Sequence, residues 1–244
     1  MVCVESPTHL SIKRILLTAV AAQPSTAILS YTFGFARHYG AEIFLTGAAS
    51  PQAIGEIVRK REIDFAVVGT PILERRSDLH NPVGDLLPMM TCPTLIVGPR
   101  IKLEQMTNGD PEQLVYVTDF TTGSLDALPY AIALAQDYGA QIKFIHVAEE
   151  APARPFHFGN SRIVGFRKRL ETLAATGEGL LPESELIVKE GDRIEGVTQI
   201  AARLNASLIV MNSRESPTQL WSRLAGELAC RAHCPILAVN RRFT

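Results

Sequence analysis

The chain has 244 residues, a formal net charge of −1 and 46% hydrophobic residues. That balance leaves no basic footprint for nucleic acid or an anionic membrane. No apolar run approaches the 18 to 20 residues of a spanning helix, and the start lacks both the basic and the apolar region of a secretory leader, so the expected location is the cytoplasm.

In chain order, Arg14 to Val20 reads as a short, fully buried parallel strand. Pro24 and Ser25 open a helix to about His38, with Ile28, Leu29, Phe33, Phe35 and Ala36 as its apolar face, and Gly40 closes it. A strand over Glu42 to Thr46 follows. Ser50 as cap and Pro51 at the first helical position then start a helix to about Arg61. Strand Asp64 to Val68, a polar loop, a short helix over Val83 to Met90 and strand Thr94 to Val97 complete a first unit. Pro99 to Pro111, with Asn108-Gly109-Asp110, reads as a linker.

Beyond it come strand Leu114 to Thr118, a helix over Ser124 to Tyr138, and strand Gln141 to Val147. Pro129 is a misfit in that helix, which either begins nearer Asp126 or bends. A loop over Glu149 to Gly159 and a helical pattern over Arg162 to Ala175 precede strand Glu185 to Lys189. Helix Gly191 to Leu204, strand Ser207 to Met211, helix Trp221 to Ala232 and strand Ile236 to Val239 end the chain. Alternation of strand and helix predicts right-handed crossovers and a parallel sheet covered on both faces.

The two units are copies. His233-Cys-Pro-Ile-Leu-Ala-Val239 repeats Thr91-Cys-Pro-Thr-Leu-Ile-Val97 at an offset of 142. Ile63 to Thr70 matches Ala206 to Ser213 at 143, whereas Lys13 to Val20 matches Gln113 to Phe120 at 100 and Tyr39-Gly-Ala41 matches Tyr138-Gly-Ala140 at 99. The second copy therefore carries about 43 extra residues, and the first lacks the second helix and third strand. The expected domains are 1–104, abridged, and 112–244, complete.

Cys92 and Cys234 occupy equivalent positions before a strand-opening proline, which points to a shared structural role. Cys230-Arg-Ala-His-Cys234 offers a sharper metal or redox reading, since i, i+4 cysteines and an adjacent histidine supply three ligands. Against it, Pro88 stands where the first copy would need its matching cysteine. Arg59-Lys-Arg61 and Arg167-Lys-Arg169 read as solvated helix faces. His80 and His233 have no serine or cysteine partner arrangement for catalysis.

Val117-Thr118-Asp119 ending a first strand, Tyr138-Gly139-Ala140 before a second, Glu190-Gly191-Asp192 before the third helix, Leu208-Ile209-Val210-Met211 as a fourth strand and Cys234-Pro235 before a fifth together resemble the universal stress protein family in its tandem form. The resemblance spans nearly all of 114–240 and is traceable over 14–99. It implies two open parallel α/β sandwich domains of the adenine nucleotide alpha hydrolase-like kind, the first abridged. Nucleotide-binding members hold ATP at the carboxyl ends of the strands, through an aspartate after the first strand and a Gly-x-x-Gly, nine residues, Gly-Ser or Gly-Thr pattern after the fourth. Such glycines let backbone N–H groups approach phosphate.

Carried onto this chain, the resemblance implies contacts from Asp119, Val147, Met211, Asn212, Ser222 and Arg223. Asn212 and Glu215 stand where glycines are expected, and Ser222 and Arg223 fall at the later Gly-Ser pair. In the first copy Val20 replaces the aspartate, Gly69 survives, Ile72 replaces the second glycine, and His80 and Asn81 take the Gly-Ser positions. Asp119 reads equally as an adenosine contact or a strand-end cap. Arg214 and Arg223 read as side-chain phosphate ligands or as plain surface. His146 reads as structural.

The expectation is a non-catalytic stress-response module with a degenerate nucleotide site, acting through protein contacts and holding either no cofactor or weakly bound ATP or another adenine nucleotide. The alternative is an ATP-binding regulator using Asp119 and arginine side chains. A third class, a module for another anion or a lipid, would show an apolar cavity in place of the phosphate loop. Phosphate-loop hydrolases are disfavoured, because Thr118 to Ser124 lacks a glycine pair. The resemblance further implies pairing through the last strand, either between the copies as an internal pseudo-dimer or with another chain.

Overall fold

A computed structural model describes residues 9–19, 25–47, 50–70, 82–101, 111–148, 164, 168, 186–213 and 221–240. The first copy supplies β1 (Arg14–Ala19), α1 (Thr26–Tyr39), β2 (Glu42–Leu45), α2 (Pro51–Lys60), β3 (Phe65–Gly69), α3 (Pro82–Leu86) with a 3-10 turn at Leu87–Met89, and β4 (Thr94–Val97). The second supplies β5 (Gln113–Val117), α4 (Thr122–Tyr138), β6 (Gln141–Ala148), β7 (Leu186–Glu190), α5 (Arg193–Arg203), β8 (Leu208–Asn212), α6 (Trp221–Arg231) and β9 (Ile236–Val239). Of the helical pattern expected over Arg162 to Ala175 only Val164 and Lys168, both helical, are described, and most of the expected linker lies outside the described residues.

The caps form where the sequence places them. Ser25 and Ser50 accept from the N–H groups of Ile28 and Ala53, and Asp192 accepts from Glu195, each satisfying an orphan donor of a first turn. Gly40 and Gly139 close α1 and α4 at φ of 65° and 62°, where a Cβ would be strained. The helix expected from about Ser124 begins two residues earlier, at Thr122, because Thr121 caps it by accepting from Ser124 N–H, so the alternative start nearer Asp126 does not occur. Pro129 is thus well inside the helix, where it removes one backbone donor. Burial of Leu128, Tyr130 and Ala131 around it, and a hydrogen bond from the Tyr116 hydroxyl to the Ser124 carbonyl, hold this segment helical nonetheless.

The strands form one nine-stranded sheet in the order β2-β1-β3-β4-β9-β8-β5-β6-β7. Every neighbouring pair is parallel except β4 and β9, which meet antiparallel. The central strands β3, β4, β8 and β9 are buried throughout, as apolar runs covered on both faces require. The edge strands β2 and β7 mix exposed and half-buried residues. The second copy has the strand order 3-2-1-4-5 of a doubly wound unit, and the first copy is the same unit without its third strand.

At the junction Leu95 pairs with Leu237, its own counterpart at the 142-residue offset, flanked by Thr94 with Ala238 and Ile96 with Ile236. Pairing centred on equivalent residues is what a twofold axis produces, here inside one chain. The helices share the two faces so that each core layer draws on both copies. One layer joins Phe35, Phe65 and Leu95 to Tyr116, Leu128 and Leu237, and the other joins Ile54, Leu86 and Ile96 to Val197, Trp221 and Ile236.

The paired Tyr-Gly-Ala motifs also meet at the axis. Tyr39 and Tyr138 rings lie 6.1 Å apart, nearly perpendicular, and Tyr138 stacks on His38 at 4.0 Å. His38 and Asp137 are repeat equivalents, and Tyr39 donates to Asp137 Oδ2 at 2.8 Å. Leu10 N–H donates to the same oxygen at 3.0 Å, while His9 Nδ1 sits 2.7 Å from Oδ1. A carboxylate whose side chain is only 5% exposed is thereby satisfied by groups of the other copy. Burial first, then the bond to Asp137, pushes the Tyr39 phenol well above its ordinary value.

Candidate functional site

Parallel sheets place ligands outside the carboxyl ends of their strands. In the second copy those ends are formed by β5, β6 and β8, with Val117 paired to Ile145 and to Met211. The turn from β5 into α4 is braced by its own side chains. Asp119 Oδ1 accepts from Thr121 N–H at 2.9 Å and from the Thr121 hydroxyl at 2.6 Å. Thr118 Oγ1 accepts from Phe120 N–H at 3.0 Å and lies 3.0 Å from Ser124 Oγ. These bonds hold Phe120 at a φ of 61°, uncommon for a residue with a bulky side chain.

His146 packs on this turn. Its ring is 4.5 Å from that of Phe120, and its Nδ1 lies 2.7 Å from the Thr118 carbonyl, an acceptor only, so Nδ1 carries the proton. Burial lowers its pKa below the ordinary 6.5; the Thr118 bond opposes that, the Arg193 charge adds to it and Asp119 opposes it. Arg193, at the start of α5, also stands 5.8 Å from the Trp221 ring at the start of α6.

Of the residues carried over from the family pattern, Asp119, Val147, Met211 and Asn212 come together on the adjacent ends of β5, β6 and β8. Val147 and Met211 are core residues, the former against Gly196, where an added Cβ would meet Val147 Cγ1 at 2.9 Å. Asn212 and Ser222 are buried, and Arg223 is exposed on α6 with its backbone close to Gly84 of the first copy. Arg214 and Glu215 lie outside the described residues. The β5–β8 ladder ends at Val117 and Met211, and Asp119 and Ser213 each follow it by two residues. Asp119 Oδ2 and Ser213 Oγ are both shielded from solvent and have no hydrogen-bond partner among the described residues. Ser213, Arg193, Phe120 and Trp221 are missed by the sequence reading. Position alone marks Arg193, directly after the Glu190-Gly-Asp192 cap, and Ser213, directly after Asn212.

At the corresponding end of the first copy the described residues pack closely at Gly69 and Gly98. A Cβ on Gly69 would fall 2.3 Å from Ile28 Cδ1, and one on Gly98 would fall 1.8 Å from the Ala229 carbonyl oxygen of α6. Thr70 Oγ1 lies 3.7 Å from Cys230 Sγ. The closure is reciprocal at the seam, since Asn240, the counterpart of Gly98, donates from Nδ2 to the Met90 carbonyl. Val20, Ile72, His80 and Asn81 lie outside the described residues.

Cys234 is buried and its thiol is pushed up to about 12 by desolvation, partly offset by backbone hydrogen bonds. Among the described residues no three His, Cys, Asp or Glu side chains converge to hold a metal, so Cys230, His233 and Cys234 form no such group. No described helix is long and apolar enough to cross a membrane.

A twofold-repeated, doubly wound α/β sheet defines the class. The family model for the universal stress protein family matches residues 112–240. The chain belongs to the universal stress protein family, with the stress-response role that membership carries. Its fold is shared over nearly the whole length by solved structures. A universal stress protein from Archaeoglobus fulgidus aligns at TM-score 0.66 and 15% identity, covering 94% of this chain and 97% of its own. A putative universal stress protein from Pseudomonas aeruginosa aligns at 0.60 and 14%, covering 94% of each. A functionally unknown protein from Pseudomonas aeruginosa aligns at 0.60 and 15%, covering 94% and 93%. No curated protein matches the chain.

Proposed function

We propose that this chain is a non-catalytic, cytoplasmic stress-response regulator that acts through protein contacts, with nucleotide recognition reduced to a remnant in its second copy. The observation that carries the non-catalytic part of this reading is the self-capping of the β5–α4 turn, the place where phosphate-loop hydrolases would hold phosphate. Phosphate-binding loops present free backbone N–H groups. Here those of Phe120 and Thr121 are taken by Thr118 Oγ1 and Asp119 Oδ1, and that of Ser124 lies 3.5 Å from Thr121 Oγ1. The close packing at Gly69 and Gly98 in the first copy supports its role as scaffold.

One observation favours the second reading, an adenine-nucleotide regulator. The buried acceptors Asp119 Oδ2 and Ser213 Oγ, each two residues beyond the last pair of the β5–β8 ladder, are groups whose desolvation a ribose or adenine donor would offset. Thermal unfolding with and without millimolar Mg-ATP, in wild type and Asp119→Ala, separates the two, alongside an assay of phosphate release. The account predicts no phosphate release above background and a shift below a degree. A shift of several degrees lost in Asp119→Ala would replace it with the nucleotide switch.

A further inference from the structure

A cavity of about 410 Å³ opens at the amino ends of β5 and β8, beside the start of β9, at the opposite end of the second copy from Asp119. The seam between the copies creates it. Tyr31 and Phe35, four residues apart on one face of α1, reach it from the first copy, and the ends of α5 and α6 border it from the second. Its size is that of a small-molecule pocket.

Its charge is one-sided. Ala202, Leu204 and Asn205 bring the carboxyl end of α5 to the wall, and Ala232 and His233 bring that of α6, so two helix termini with partial negative charge converge. Glu112 adds a full negative charge at the rim. Among the described residues that line it there is no lysine or arginine; Arg203 and Arg231, the basic residues of the two last turns, are absent from the wall. The described wall therefore favours a cation over an anion, and aromatic rings beside a negative field suit one with an apolar body.

We propose that this seam cavity binds a small organic cation, an amine or quaternary ammonium carrying an aromatic or aliphatic group. The site is independent of the nucleotide remnant and is intact whether or not ATP binds.

The test is calorimetric titration of the full chain at pH 8, where an imidazole ordinarily carries no charge, with three probes of one shape. These are 2-phenylethylammonium, neutral 2-phenylethanol and anionic 3-phenylpropionate. The cation should bind about tenfold or more tightly than the anion. Ala202→Trp, which places an indole at the mouth from an exposed position on α5, should abolish binding. Glu112→Gln, at an exposed residue, should weaken the cation about threefold and leave the alcohol unchanged. No binding of the cation, equal binding of the anion, or undiminished binding in a folded Ala202→Trp chain overturns the proposal.

Discussion

The two oxygens of Asp119 have separate situations: one holds the Thr121 N–H and hydroxyl, and the other is buried with no partner among the described residues. Asp119→Asn keeps an acceptor for the cap and should cost a few tenths of a kcal/mol, whereas Asp119→Ala should cost about 1 kcal/mol in urea unfolding. His146 shows its situation through pH. A native imidazole with a lowered pKa binds its proton more weakly than the unfolded chain does. Its contribution is therefore full above the ordinary 6.5 and is lost as pH falls below it. His146→Gln should flatten the fall in stability between pH 6.5 and pH 5, and an unchanged slope would show that the ring is not buried neutral. Gly98 is set by distance, with 1.8 Å from a built Cβ to a backbone oxygen. Gly98→Ala should destabilise by about 1 to 3 kcal/mol by forcing α6 off β4, read as a lowered urea midpoint.

Among elements, the strands and capped helices were legible because their signals are local. The run Leu-Ile-Val-Met, the Ser50-Pro51 start and the Gly40 stop each specify their own geometry. Pro129 left α4 open to a later start or a bend, because a proline weighs heavily in a local pattern, while the buried neighbours that outweigh it depend on tertiary packing. The site was legible as an edge, through Asp119 and Asn212, but not as a mechanism. Whether backbone donors are free is decided by side chains folding back across two or three residues, and Ile28 filling the space over Gly69 joins residues 41 positions apart. The strand opened by Cys234 also has an alkaline signature. Its thiol holds its proton in the native state beyond the ordinary 9.0, so stability is full below that pH and falls as pH rises toward about 12. Cys234→Ala should reduce the slope between pH 9 and 10 toward one proton fewer, about 1.4 kcal/mol per pH unit.

At the scale of the whole molecule, the two copies complete each other. Their last strands pair about Leu95 and Leu237, their helix ends seat on each other's strand ends, and Asp137 is satisfied across the axis. The pairing uses an edge of each copy that would otherwise invite another chain. All of this rests on β4 and β9 being paired inside one chain. Hydrogen exchange of the amides of Thr94–Val97 and Ile236–Val239, followed across a hundredfold range of protein concentration, tests it most directly. The account predicts protection in both strands as strong as in β3 and β8 and the same at every concentration. Fast exchange in either strand, or protection that grows with concentration, would contradict it.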